Sequence, residues 1–319
     1  MSSARVVAVT GATGFLGVHL IAALVGEGVR IRILARRSGR HEVWRDLDLD
    51  IISGGLDDAG ALERLVTGAD AVVHAAGLIK ARDRPAFLQT NRDGTRAVAE
   101  TTRRCAPEAR FVAISSLAAR EPQLSDYAFS KHAGEDAAQI AYAEVPDRLV
   151  IVRPPAIYGP WDPETLAIFK AASQPVIPVF GSGRAAIMHV TDAAASIARL
   201  ALNAAVAGLY ALADTNPDGY GIQDIMNEAA RAAGNDHPRF IRVPDGILLA
   251  AAKATTAWGA VRRRTPIFTV GKVREMLHAD WTVTPAELLP QEIYRSKIGI
   301  SEGFRETVDW YRSAGWLPR

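Results

Sequence analysis

Short apolar runs alternate with longer stretches of helical period along the first two thirds of the chain. Arg5 to Val9 reads as a buried strand, followed by a glycine turn and an apolar helix-period run through Leu24. Val29 to Leu34, Asp50 to Ser53, Ala69 to His74, Arg110 to Ser116 and Leu149 to Val152 read as further strands. Helices are expected from about Ala59 to Thr67, from Asn91 to about Cys105, near 127–142 and from Ala193 to Leu202. Strands alternating with helices predict an α/β fold with a doubly wound, Rossmann-like parallel sheet. The segment Pro175 to Pro178 and the loop-like Asp214 to Gly221 mark expected crossings to a smaller C-terminal substrate lobe. The expected division is 1–155 plus about 185–213 for the sheet domain, and about 156–184 plus 214–319 for the lobe.

A chain of 319 residues buries a sizeable core without staples. Its 37 basic and 35 acidic residues leave a formal charge of +2, which gives no general electrostatic case for a nucleic-acid partner. The run Arg262-Arg263-Arg264 reads as a solvated face or a local anion contact. Cys105 is the only cysteine, so an internal disulfide and a cysteine-based zinc cluster are excluded, and no metal is expected. No signal peptide is evident, and Gly246 to Val261 is apolar but short for a span and interrupted by Lys253. A soluble cytoplasmic protein without a membrane partner is therefore the expectation.

The turn Thr10-Gly11-Ala12-Thr13-Gly14-Phe15-Leu16-Gly17 stands between a strand and a helix, the context a dinucleotide fingerprint requires. Gly11 reverses the chain, Gly14 leaves room for a pyrophosphate and Gly17 lets the helix pack close to the strand. The N–H groups over Thr13, Phe15 and Leu16 open the helix toward an anion. About 20 residues on, where an acid would bind a ribose 2′-hydroxyl, the chain has Ala35-Arg36-Arg37. Arg36 and Arg37 suit a 2′-phosphate, so NADP is favoured over NAD; the alternative is that both face solvent.

The chemistry points to Ser116, Tyr127 and Lys131. Tyr127 and Lys131 are four residues apart and share a helix face. A neighbouring ammonium favours a phenolate, so the hydroxyl can exchange a proton with an alcohol or carbonyl while hydride moves. A strand-end serine, Ser116 before Ser115, would hold the substrate oxygen.

The glycine turn with its Gly-x-x-Gly-x-x-Gly spacing, the serine pair and Tyr127-Ala128-Phe129-Ser130-Lys131 resemble the short-chain dehydrogenase/reductase superfamily. Arg153-Pro154-Pro155-Ala156-Ile157-Tyr158-Gly159-Pro160 and Met188-His189-Val190-Thr191-Asp192 resemble its extended branch, the NAD-dependent epimerase/dehydratase family. His74-Ala75-Ala76-Gly77 resembles the family's His-x-Ala-Gly segment beside the cofactor, which implies cofactor contacts from Ala75, Ala76 and Gly77. Asn91-Arg92-Asp93-Gly94-Thr95 resembles its Asn-x-x-Gly-Thr motif; Asn91 contacts the cofactor region or caps its helix. His74 is expected to be structural, and Asp192 to cap the helix after it. The resemblance also implies that Tyr127, Lys131 and Pro154 touch the cofactor, that Lys131 binds the nicotinamide ribose, and that helices near 91–105 and 127–142 pair in a homodimer. Related proteins often carry an Asp at the adenine edge where Gly55 stands; here Asp57 takes that role or the contact is lost.

Within the family, Leu117-Ala118 replaces the acidic pair of dehydratases, and Ala185-Ala186-Ile187 replaces the Arg-Asp-Phe of sugar-nucleotide epimerases. Arg184 substitutes for that arginine or faces solvent. Trp161, Trp258, Phe268 and Trp281 wall a pocket or form ordinary core. The expectation is an oxidoreductase acting on a small-molecule carbonyl or alcohol, with a sugar epimerase as runner-up. A cofactor-binding sensor or assembly factor is the third reading, against which the Ser-Tyr-Lys set argues.

Overall fold

The computed structural model describes residues 4–36, 41–262 and 269–318, with side chains at all of these but 257–262. It contains β1 (Val6–Thr10), α1 (Phe15–Gly26), β2 (Arg30–Ala35), β3 (Leu49–Ser53), α2 (Ala59–Val66), β4 (Ala71–His74) and α3 (Arg84–Leu88). A π-helical turn, Gln89–Asp93, then runs directly into α4 (Gly94–Cys105). There follow β5 (Arg110–Ile114), α5 (Asp126–Ala141), β6 (Leu149–Arg153), β7 (Ala156–Tyr158), α6 (Leu166–Ala172), β8 (Val176–Val179), β9 (Arg184–Ala185) and β10 (Ile187–His189). The rest comprises α7 (Val190–Leu202), β11 (Gly208–Ala211), β12 (Tyr220–Gly221), α8 (Ile222–Ala233), β13 (Arg239–Arg242), α9 (Asp245–Arg262), α10 (Val270–Leu277), β14 (Asp280–Trp281) and α11 (Ile300–Ser313).

By contacts the chain divides into two units. The first runs to Arg153 and adds Ala193–Ala211 and Leu289–Tyr294. It is a seven-stranded sheet in the order β11-β6-β5-β4-β1-β2-β3, every pairing parallel. Parallel strands are buried on both faces by their crossover helices, which is why β4 and β5 are apolar runs with every residue buried. The chain winds outward in opposite directions from β1 and β4, so the topological switch lies between them, where the open ends of such sheets bind ligands. Phe111, Leu62, Leu65, Val98, Tyr142 and Ile151 form the core of one face. Helix starts are written in the sequence: Asp58, Asp83 and Ser125 each accept a backbone N–H at the head of α2, α3 and α5. β11 is the strand that periodicity does not disclose, because Gly208–Ala211 has only its last residue fully buried.

The second unit comprises Pro154–Asp192, Leu212–Leu288 and the residues from Arg295 on. It has two two-stranded parallel pairs, β7 with β10 and β8 with β13, and a small three-stranded sheet, β12-β9-β14. Its main core packs Phe169, Ile177, Ile225, Phe304 and Tyr311 from α6, β8, α8 and α11. The borders differ from the expected division: residues 185–192 group here, because β10 pairs with β7 rather than with the large sheet.

One expectation is corrected in this unit. Asp192 does not cap a helix that begins at Ala193, because α7 already starts at Val190; its Oδ2 instead accepts the N–H groups of Lys297 and Ile298, each at 2.8 Å. Arg184 is exposed, as one of its two readings expected, and its guanidinium also donates to the carbonyls of Asp218 and Gly219, the latter at 2.8 Å. Trp161 packs on Trp310, and the Trp281 indole donates to Glu275 O, so both serve this unit's packing. Arg37, Phe268 and the Trp258 side chain lie outside the described residues.

Candidate active site

Sequence dictates the shape of the glycine turn. Gly11 has φ +72°, and a Cβ there would stand 2.5 Å from the backbone of Ala75 and Ala76. A Cβ at Gly17 would run into Gly11 O and stand 2.6 Å from Ala12 O. At Gly14 the added atom would meet only Gly11 O, at 3.3 Å, so that glycine keeps open the outer side of the turn. Gly14 is also the N-cap of α1, and it supplies no capping side chain; the first turn of α1 holds no acid. The helix therefore presents N–H groups and a partial positive charge to whatever lies beyond Thr13 and Gly14, both exposed, and Phe15 and Leu16, both half-buried. That cradle fits a dinucleotide pyrophosphate.

Beside it, the ends of β1 and β4 are tied by His74. Thr10 and His74 are paired in register. The buried ring takes Thr10 Oγ1 at 2.8 Å on Nδ1 and Thr95 Oγ1 at 3.1 Å on Nε2. The tautomer follows from bond directions. Thr95 O–H donates to Asn91 O at 2.7 Å, so it accepts from His74, and Nε2 carries the proton. Nδ1 then accepts from Thr10, whose oxygen accepts Ala76 N–H at 3.3 Å. Burial first, and the Lys131 charge second, push the imidazole down to about 3, so the ring stays neutral and structural.

Asn91 is neither an N-cap nor exposed. Within the π turn its Oδ1 accepts Leu78 N–H at 2.7 Å, while Nδ2 donates to Leu78 O at 2.9 Å and Ser130 Oγ at 2.8 Å. The Ser130 hydroxyl donates in turn to Tyr127 O. One amide thus fastens the loop after Gly77 to the turn of α5 that bears Tyr127. α5 can pass this close because residue 134 is glycine; a Cβ there would stand 2.5 Å from Asn91 O.

Ser116 follows the C-terminal end of β5, and α5 brings Lys131 to that same end. Lys131 Nζ donates to Ile114 O at 2.6 Å, and the place of a Cβ on Gly77 lies 3.6 Å from the same nitrogen. Tyr127 stands one helical turn before Lys131, half-buried, with its ring 6.1 Å from that of Phe87. α5 is held on the turn after Ser116 by His132 Nδ1, which donates to Ala119 O at 3.2 Å. Ser116 Oγ accepts Ala118 N–H at 3.2 Å, which uses a lone pair and not its proton. Ser115 is committed elsewhere: its hydroxyl donates to buried Glu135 at 2.5 Å. Glu135 also receives a two-pronged pair from Arg153, at 2.8 and 2.6 Å. Burial lowers the Lys131 ammonium to about 8, and the Glu135 carboxylate, one turn further along α5, pulls it back up. Glu135 escapes the motif reading; its signal is the spacing of four that extends Tyr127 and Lys131 along one helix face.

Arg36 is exposed at the end of β2, and no acid ends that strand. Asp57 Oδ1 fills the space where a side chain on Gly55 would begin, so a carboxylate does stand there. Pro154 belongs to the second unit.

A model of the NAD-dependent epimerase/dehydratase family matches residues 7–212. The chain belongs to this family. It is an NAD(P)-dependent enzyme of the extended short-chain dehydrogenase type. The family member named ceramide reductase, from Caulobacter vibrioides, is 49% identical over 316 residues, covering 98% of this chain and 96% of its own. Among solved structures, the UDP-N-acetylglucosamine 4-epimerase of Bacillus cereus superimposes with a TM-score of 0.71 at 17% identity, covering 97% of this chain and 100% of its own. The UDP-glucose 4-epimerase of Thermus thermophilus, solved with NAD, gives 0.68 at 21% identity, covering 97% and 99%. At such identities the two structures share the family fold with this chain. No helix among the described residues is long and apolar enough to cross a membrane.

Proposed function

We propose that this enzyme is an NADPH-dependent reductase of a carbonyl group carried by a ceramide-type lipid. The observation that carries the reading is the 49% identity, over nearly both whole chains, to a protein named ceramide reductase. Two features agree with it. Leu78 and Ile79, directly after Gly77, are exposed apolar side chains. Arg184, the arginine nearest the place where sugar-nucleotide epimerases carry theirs, is spent on backbone carbonyls. Arg36 at the end of an acid-free β2 favours the 2′-phosphate, and with it NADP.

Gly11, Thr13, Gly14, Phe15, Leu16 and Gly17 would hold the pyrophosphate, and Ala75, Ala76, Gly77 and Lys131 the nicotinamide end. The bound cofactor supplies a hydride. Tyr127 gives its hydroxyl proton to the carbonyl oxygen, Lys131 steadies the phenolate charge that this leaves, and Ser116 holds the oxygen in line. His74 and Asn91 position the loop and the helix turn between which these groups stand. The enzyme would work on the cytoplasmic side as a homodimer through α4 and α5, where Ile140 and Phe129 are exposed.

The test uses the purified protein, a detergent-dispersed ceramide-type ketone and both reduced nicotinamides. Turnover with NADPH is expected, and Tyr127→Phe should keep NADPH binding while kcat falls by about 10² to 10⁴. Unchanged kcat in that variant overturns the site. Stoichiometric NAD⁺ released on denaturation, with no turnover of the ketone, favours an epimerase, which need never exchange its cofactor.

A further inference from the structure

We infer that α9, with the strand before it, docks the second unit on the surface of an anionic phospholipid bilayer. The helix is long, about 27 Å for its 18 residues. One face is used: Leu248 and Ala252 are buried against Val273 of α10, with Leu249, Val270 and Leu277 around them. The opposite face is also apolar. Ile247, Ala250, Ala251 and Ala254, at i, i+3, i+4 and i+7, are all exposed, Ile247 by 60%. Thr255 and Thr256 turn their hydroxyls back to Ala252 O, so their protons are already paired within the helix. A helix that is apolar on its solvent side lacks its partner.

Charge identifies that partner. From Arg239 to Arg264 the sequence holds six basic residues and one acid, Asp245, a local excess larger than the net +2 of the whole chain. Among these, Arg239, Arg242 and Lys253 are exposed. Arg239 and Arg242 flank Ile241, itself 56% exposed, on β13. Exposed apolar residues between cations match an interface where acyl chains meet anionic headgroups, and Lys253 is long enough to reach those headgroups from the helix flank. No described helix is apolar enough to span the bilayer, so α9 lies along it. A second copy of this chain would bring the same excess positive charge to the contact. The expectation of no membrane partner rested on Gly246 to Val261 being too short to span; the exposed apolar face and the local charge instead suit the surface. The inference extends the ceramide-type reading, since a substrate of that kind resides in a bilayer, but its test does not depend on turnover.

The experiment is flotation of the full chain with phosphatidylcholine vesicles, with and without phosphatidylglycerol. Binding is expected only with phosphatidylglycerol and should weaken as salt rises. Ile247→Asp should weaken it by about tenfold or more, as should Arg239→Glu combined with Arg242→Glu. Ile247 is exposed, so Ile247→Asp should retain the melting temperature, NADPH binding and turnover of the detergent-dispersed ketone. Absence of flotation, or flotation that Ile247→Asp leaves unchanged, overturns the proposal. So does a dimer that Ile247→Asp converts to monomer without any vesicle binding, which would make the face a contact between copies. Flotation without ketone turnover would keep this inference and remove the substrate reading; turnover without flotation would do the reverse.

Discussion

His74 accepts from Thr10 and donates to Thr95, and protonating it would put a second donor against a hydroxyl already donating to it. This adds to burial and the Lys131 charge, which lower its proton affinity. The sign of the consequence is fixed by linkage. In the unfolded chain the ring takes a proton near 6.5, while in the folded chain it does so only near 3. Between those values the unfolded state binds more protons, so stability is fully present above about 6.5 and is lost as pH falls toward 3. The loss from this one group approaches about 1.4 kcal/mol per pH unit inside that window. Urea denaturation at a series of pH values should show it, and His74→Gln should flatten the profile over that range. An imidazole resonance of His74 that titrates near 6 in the folded protein would contradict the tautomer.

At the scale of the element, the strand-turn-helix of β1 and α1 shows two glycines doing different work. Gly17→Ala forces a methyl group into Gly11 O and Ala12 O, backbone atoms that cannot swing aside. It should destabilise the fold by about 1 to 3 kcal/mol, as overpacking does, and weaken NADPH binding with it. Gly14→Ala meets only a 3.3 Å contact, and residue 14 has a φ of −81° that alanine adopts readily. It should cost under about 1 kcal/mol as an N-cap change, yet weaken NADPH binding at least as much, because the methyl stands where the pyrophosphate would lie. Thermal melts and cofactor titrations of the two variants separate the roles. This division was legible in the sequence, because the turn's chemistry is local. The strands β1, β4, β5 and β6 were legible too, as uninterrupted apolar runs. What was not legible depends on distant partners. Asn91 looks like a helix opener until the loop at Leu78 comes to meet it. Ser115 and Ser116 are neighbours of one type, and only Glu135, twenty residues on, commits Ser115 elsewhere. Asp192 precedes an apparent helix start, but the N–H groups it serves lie more than a hundred residues away.

At the scale of the molecule, two of the sets of apolar side chains left in water, one on α5 in the first unit and one on α9 in the second, are assigned different partners by charge. The set on α9 lies in a stretch whose excess positive charge exceeds the net charge of the whole chain, so the remainder of the chain is net acidic. The set on α5 has a different setting. Ile140, 78% exposed, stands near the end of a helix whose exposed flank also carries Asp136 and Gln139, and Phe129 lies two turns or more before it with the Arg84 guanidinium 4.8 Å above its ring. A mixed apolar and polar face of this kind suits a protein contact, and a two-fold pairing repeats each of these groups from the second copy. α4 and α5 pack on each other beside it. Light scattering on the purified enzyme should therefore give twice the mass of one chain. Ile140→Asp should weaken the dimer by at least about tenfold, because a carboxylate would be buried near its own symmetry mate. The same variant should float with phosphatidylglycerol vesicles as well as the unaltered enzyme does, since α9 is untouched. A dimer that survives Ile140→Asp but dissociates in Ile247→Asp would exchange the two surfaces, and would place the copies against each other through the helix assigned to the membrane.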